Sequence, residues 1–135
     1  MRRVIRETVQ PAVPEEAKEA SLLLGIGGTA ATLAAIVLNL HSYSPEKVDA
    51  TPLSYRRMKA LCARLSRMTV EEKKTMVPFD PSRADILLSG AMIVLQVMEA
   101  SFQKTMTVAS RGLRFGIALR EAGVPRPFLK PGAIP

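Results

Sequence analysis

The sequence predicts an α/β fold in which two parallel strands lie side by side among several packed helices. Two observations carry this. A strand, a glycine turn and a helix follow one another from Leu22 to about Leu40 and again from Lys104 to Ala122, and a long helical stretch separates the two units. A crossover of that kind favours parallel neighbouring strands, with both glycine turns at the same edge of the sheet. The crevice at the carboxyl ends of such strands is where ligands bind.

The elements follow in order. Residues 1–20 read as one or two helical pieces, with Val4, Ile5 and Val9 as a buried stripe and Pro11 and Pro14 as interruptions. Leu22–Ile26 is the first strand. The alanine- and leucine-rich helix after it runs from Thr29 to Asn39 or Leu40, where His-Ser-Tyr-Ser-Pro is loop chemistry. Glu46–Pro52 is a short connection, extended near Val48. Ser54 caps a helix whose Met58, Leu61, Cys62, Leu65 and Met68 recur at three- and four-residue steps, and Thr69 with Glu72 makes a capping box for the next. Asp80 as cap and Pro81 at the first helical position start a helix that is apolar on nearly every side from Ile86 to Met98, with Gly90 admitting a close neighbour. Lys104–Ala109 alternates as the second strand, and a short helix ends near Ala122. One domain is expected over 1–122, then a loose tail over 123–135, where four prolines fall.

The first glycine turn is the element around which the rest is organised. Gly25, Gly27 and Gly28 let a ligand approach the main chain, and the free N–H groups of the following helix favour an anion such as phosphate. Two other readings of the stretch stay open at this point. Residues 21–40 carry no charge and have the length of a bilayer crossing, although the glycines fit a turn better than a span. The turn could also pack tightly and bind nothing.

Composition narrows the chemistry. Hydrophobic residues make up 47% and charged residues 23%, a globular balance. The formal charge of +7 favours polyanionic partners, while 4% aromatics and no Trp argue against a specific nucleic-acid ligand. The basic residues are dispersed, which makes solvated faces the default for most of them. A single cysteine, Cys62, excludes an internal disulfide, and with His41 as the one histidine neither a zinc cluster nor a His-dependent triad is supported. The Met-Arg-Arg start has no apolar signal core behind it, so a cytoplasmic setting is expected.

Three stretches together resemble the exopolyphosphatase and guanosine pentaphosphate phosphohydrolase family in order and spacing, over residues 1–122. They are Gly25-Ile-Gly-Gly-Thr-Ala-Ala-Thr-Leu-Ala-Ala, Asp80-Pro-Ser-Arg-Ala-Asp-Ile-Leu-Leu-Ser-Gly-Ala and Arg111-Gly-Leu-Arg-Phe-Gly. The resemblance implies an actin-like (ribonuclease H-like) fold of two α/β lobes around a cleft that binds magnesium and a chain of phosphates. It also implies a glutamate that activates water to remove the terminal phosphate of polyphosphate or guanosine pentaphosphate. By the same resemblance the chain is an incomplete C-terminal lobe of that domain. Its phosphate- or nucleotide-binding residues would be Gly25, Gly27, Gly28, Thr29, Arg83, Arg111, Gly112 and Arg114. Ala31, where the family commonly has threonine, and Phe115, where it has a small or acidic residue, are departures.

No stretch resembles the first lobe or its glutamate, and Glu7, Glu15, Glu16, Glu19, Glu71 and Glu72 fall on exposed helix faces, so no catalytic residue and no magnesium ligand is assigned. The chain is therefore expected to be inactive alone and to self-associate or pair with a missing lobe through an open strand edge. The competing functions are a noncatalytic phosphate-binding or regulatory module and, less favoured, a small basic membrane protein.

Overall fold

The computed structural model describes residues 1–123; residues 124–135 of the expected tail lie outside the described residues. The elements are α1 (Arg2–Ala12), a 3₁₀ turn (Glu15–Lys18), β1 (Leu24–Ile26), α2 (Gly28–Val37), α3 (Pro45–Val48), β2 (Pro52–Ser54), α4 (Tyr55–Leu65), α5 (Val70–Met76), a second 3₁₀ turn (Pro81–Arg83), α6 (Leu87–Ala100), β3 (Thr105–Ala109) and α7 (Leu113–Glu121). The sheet has the order β1-β3-β2. β1 and β3 are parallel, Leu24 opposite Thr107 and Ile26 opposite Ala109.

The sheet is mixed and has a third strand, which the sequence reading lacks. Val48 is buried in α3 rather than extended, and the extended piece is β2, antiparallel to β3 with Ser54 opposite Thr105. Three residues are too few to show alternation, and Pro52, with no N–H to give, is tolerated at a sheet edge.

The apolar run 21–40 is divided between β1, a turn at Gly27 and the ten residues of α2, so it is not one continuous rod. Among the described residues no helix is long and apolar enough to cross a membrane. Ala30 to Ala35 are all buried, because α2 is enclosed by β1, β3, α3 and α6. Its alanines let those neighbours close in, while Leu33 fills the centre together with Leu53, Met58 and Leu65, each fully buried. Burial of one such side chain contributes about 1.5–3 kcal/mol.

α6 carries Leu87, Ala91, Leu95 and Met98 inward and has α1 and α4 packed on it. Gly90 does admit a close neighbour. A Cβ there would stand 2.8 Å from the Thr29 methyl of α2. Other expectations need correcting. α6 starts at Leu87, not at Pro81; Asp80 caps nothing, because its carboxylate is taken by Arg83 and Ser82. α1 runs through Pro11 as one helix, with Ile5 and Val9 half-buried but Val4 exposed. α2 stops at Val37, and Asn39 takes a left-handed conformation (φ 54°) that asparagine accepts readily. The Ser54 cap and the Thr69–Glu72 capping box form as expected.

Candidate functional site

The parallel pairing of β1 and β3 ends both strands at the same edge, and a cleft of about 920 Å³ opens there. Gly27, Gly28 and Ala31 form one wall, Ser110 to Gly112 with Arg114 and Phe115 form another, and Tyr43, Pro45, Glu46 and Asp49 close it from the α2–β2 connection. Gly27 has φ 102° and ψ 179°, a region essentially reserved for glycine. This turn aims the start of α2 at the cleft, and no side chain caps that helix. Gly112 precedes α7 with ordinary backbone angles (φ −79°), and again no side chain caps the helix. Two helix N-termini with unspent N–H groups therefore face one space, an arrangement that attracts anions.

Arg111 and Arg114 line the same space, and among the described residues neither forms an ion pair. The Arg111 guanidinium lies 5.0 Å from the centroid of the Phe115 ring, so the ring supports the cation from one side. Arg83 sits in an adjoining recess of about 290 Å³ with Gly28, Tyr43, Phe79 and Asp80. A Cβ on Gly28 would lie 2.5 Å from its Nη1, so the missing side chain makes room for the guanidinium. Arg83 Nε also donates to Asp80 Oδ2 at 2.5 Å.

Of the eight residues expected to bind phosphate, the fold gathers Gly27, Gly28, Arg111, Gly112 and Arg114 around the cleft and puts Arg83 beside it. Gly25 and Thr29 do not line it. Gly25 is buried in β1, where a Cβ would meet the Met106 side chain at 2.6 Å; Thr29 packs its methyl on Gly90.

The sequence reading missed the acidic side of the cleft. Asp49 Oδ1 accepts hydrogen bonds from the Ser110 N–H (2.7 Å) and hydroxyl (2.9 Å), pinning the turn that carries Arg111 and Arg114. The Ser110 backbone and hydroxyl, with Arg111 nearby, hold the Asp49 carboxyl below its ordinary value. Glu46 is lowered too, first by its own N–H, then by the Ser44 hydroxyl, with a smaller pull from Arg111. Both are ionised at neutral pH, and a lowered pKa makes each a weak proton acceptor. No local pattern could have paired Asp49 with a serine 61 positions away.

A family model described as the Ppx/GppA phosphatase family matches residues 1–123. The chain belongs to this family. Exopolyphosphatase 2 of Mycobacterium tuberculosis (strain CDC 1551 / Oshkosh) is 28% identical to it over 127 residues, covering 90% of this chain and 40% of that protein. The type II crystal structure of the Aquifex aeolicus Ppx/GppA phosphatase superposes with a TM-score of 0.79 at 26% identity, over 89% of this chain and 39% of that one. A second structure of the Aquifex aeolicus family member gives 0.76 at 27% identity, over 89% and 40%. The chain thus spans about two fifths of the length of the Ppx/GppA relatives it matches, and its small mixed sheet with packed helices is part of their actin-like fold.

Proposed function

We propose that the cleft holds the phosphates of a phosphoanhydride chain, inorganic polyphosphate or guanosine pentaphosphate, as part of a hydrolase site whose other part is not in this sequence. One observation carries the reading: two helix N-termini without a side-chain cap, and two arginines that form no ion pair among the described residues, converge on one space at the carboxyl ends of parallel strands. Donors fixed in this way hold successive phosphates in line and offset the charge that builds as the terminal one leaves.

Hydrolysis also needs a base to activate water, and the cleft does not supply one suited to the task. Glu46 and Asp49 are its carboxylates, and hydrogen bonds from their neighbours hold both below the ordinary range. The chain alone is therefore inactive in this reading. Among the described residues no group of three or more His, Cys, Asp or Glu could hold a metal. Magnesium, which the resemblance implies, takes one or two carboxylates together with water and substrate phosphates; Glu46 and Asp49 are the carboxylates the cleft would offer it, and no step here is assigned to the metal.

Each helix end contributes about 0.3–1 kcal/mol toward an anion, so even with the arginines tripolyphosphate should bind weakly, in the millimolar range near 4 kcal/mol. The test is calorimetry with tripolyphosphate, together with phosphate release from polyphosphate in the presence of magnesium. Weak binding without turnover is expected. Absence of binding would overturn the phosphate site, and robust turnover would show that the absent part is dispensable.

A second reading, a noncatalytic phosphate-binding or regulatory module that pairs with another chain, is favoured by the free edge of β1. Leu22, Leu24 and Ile26 there are 57%, 49% and 59% exposed, and among the described residues β1 pairs only with β3. Co-purification with a separately expressed first lobe would support it. A cytoplasmic setting belongs to both readings.

A further inference from the structure

We propose that Asp49 is a positioning residue for anion capture: through Ser110 it is the polar tether that keeps Arg111, Arg114 and the start of α7 aimed into the cleft. The ligand is taken from the phosphate reading of the cleft, which this role presupposes. Among the described residues, the two bonds that Ser110 donates to Asp49 Oδ1 are the only hydrogen bonds or ion pairs that join residues 110–123 to the rest of the chain. The other polar contacts of that stretch are local. The first turn of α7 closes on Gly112 O, its last on the carbonyls of Ala118 and Arg120, and Arg120 pairs with Glu121.

Packing does little to hold α7 in place. Phe115 and Ile117 are each 43% exposed, and of the described α7 side chains only Leu119 is half-buried. A helix of nine residues has no stability of its own in water, so whatever fixes its start also fixes the donors it carries. Asp49, by contrast, is held from both sides. Its N–H closes α3 on Pro45 O at 3.0 Å, and the N–H of Ala50 donates to Val108 O of β3 at 2.8 Å. Ala50 takes φ 57°, a left-handed conformation that residues with a Cβ seldom adopt. Such strain persists only where the surroundings over-determine it, and this corner carries the Asp49 carboxylate to Ser110, the first residue past β3. Glu46 lines the same cleft, but its carboxylate accepts from Ser44 and from its own N–H and makes no hydrogen bond to the β3 side.

A carboxylate in an anion site repels the ligand. Its hydrogen bonds account for its presence, because a charged acceptor makes bonds about twice as strong as a neutral one. Two effects of opposite sign therefore sit on one side chain. The charge weakens anion binding, and the acceptor oxygen strengthens it by ordering the donors before the ligand arrives.

Asparagine and alanine separate the two effects, since both remove the charge and only asparagine keeps an acceptor. Calorimetry with tripolyphosphate in the absence of magnesium, beside amide hydrogen exchange, compares wild type with Asp49→Asn, Asp49→Ala, Ser110→Ala and the charge control Glu46→Gln, all in the whole chain. Asp49→Asn and Glu46→Gln should bind more tightly than wild type. Asp49→Ala should bind about fivefold more weakly than Asp49→Asn, with faster exchange over residues 111–121 and unchanged exchange in β3. Ser110→Ala loses the hydroxyl bond and keeps the N–H bond, so it should show the same acceleration to a smaller degree, and it carries the exchange test should Asp49→Ala unfold. Equal affinity and equal exchange in Asp49→Asn and Asp49→Ala overturn the proposal, as does exchange over 111–121 that Ser110→Ala leaves unchanged. Absence of tripolyphosphate binding in every protein, with the exchange difference present, would sink the phosphate reading and leave the tether standing.

Discussion

Gly27 and Gly112 occupy equivalent places in sequence, each just before a helix that follows a parallel strand, yet their structures predict opposite responses to alanine. At Gly27 a Cβ would touch nothing within 4 Å, so the penalty for Gly27→Ala is purely conformational. Its φ of 102° with ψ 179° lies where L-residues are essentially absent, which costs about 1–3 kcal/mol. At Gly112 φ is −79° and the nearest atom to a Cβ, Ile26 Cγ2, is at an ordinary 3.5 Å. Alanine there restricts the unfolded chain without straining the folded one, so Gly112→Ala should be neutral or stabilise by up to about 1 kcal/mol. Urea and thermal unfolding of the two variants measure both. For a chain of this size each kcal/mol moves the midpoint by about 3–6 °C, so the two midpoints should separate by at least that much, with Gly27→Ala the lower. If Gly27→Ala is as stable as Gly112→Ala, the turn at Gly27 is not held as described, and the aim of α2 at the cleft falls with it.

Three further outcomes follow from the geometry. Gly90→Ala should destabilise by about 1–3 kcal/mol through the Thr29 methyl, and Thr29→Ser in the same chain should recover most of that loss, read by denaturant midpoint. Arg111→Ala and Arg114→Ala should each weaken tripolyphosphate binding several-fold in calorimetry while leaving the unfolding midpoint almost unmoved, because neither is ion-paired among the described residues. Asp49→Asn should lower stability at neutral pH. Since the folded pKa of Asp49 is depressed, its contribution is complete above the unfolded value and is lost as pH falls through the folded one. The gap between wild type and variant should thus be flat above the ordinary carboxylate range and close in stronger acid; a gap that closes near neutrality would contradict the Ser110 hydrogen bonds.

Local chemistry was legible wherever residues close in sequence act on one another. The Ser54 cap, the Thr69–Glu72 box, the alternation of β3 and the need for a small residue at Gly90 could all be read directly, and each is present. Reading failed where a second partner, near or far in sequence, competes for the group that carries the signal. Asp80 has the look of a cap, but Arg83 and Ser82 take its carboxylate. Gly25 has the look of part of a ligand loop, but Met106 and Ala30 require its smallness.

By itself the sequence determined the α/β class, the parallel pairing of β1 and β3 and the glycine turns that bring two helix ends to one edge, because periodicity, turn chemistry and crossover length act along the chain. Tertiary structure alone decided which of those residues share the cleft. It brought Asp49 to Ser110 and Arg83 to Gly28. These depend on distances between segments tens of residues apart, and such distances are fixed by packing.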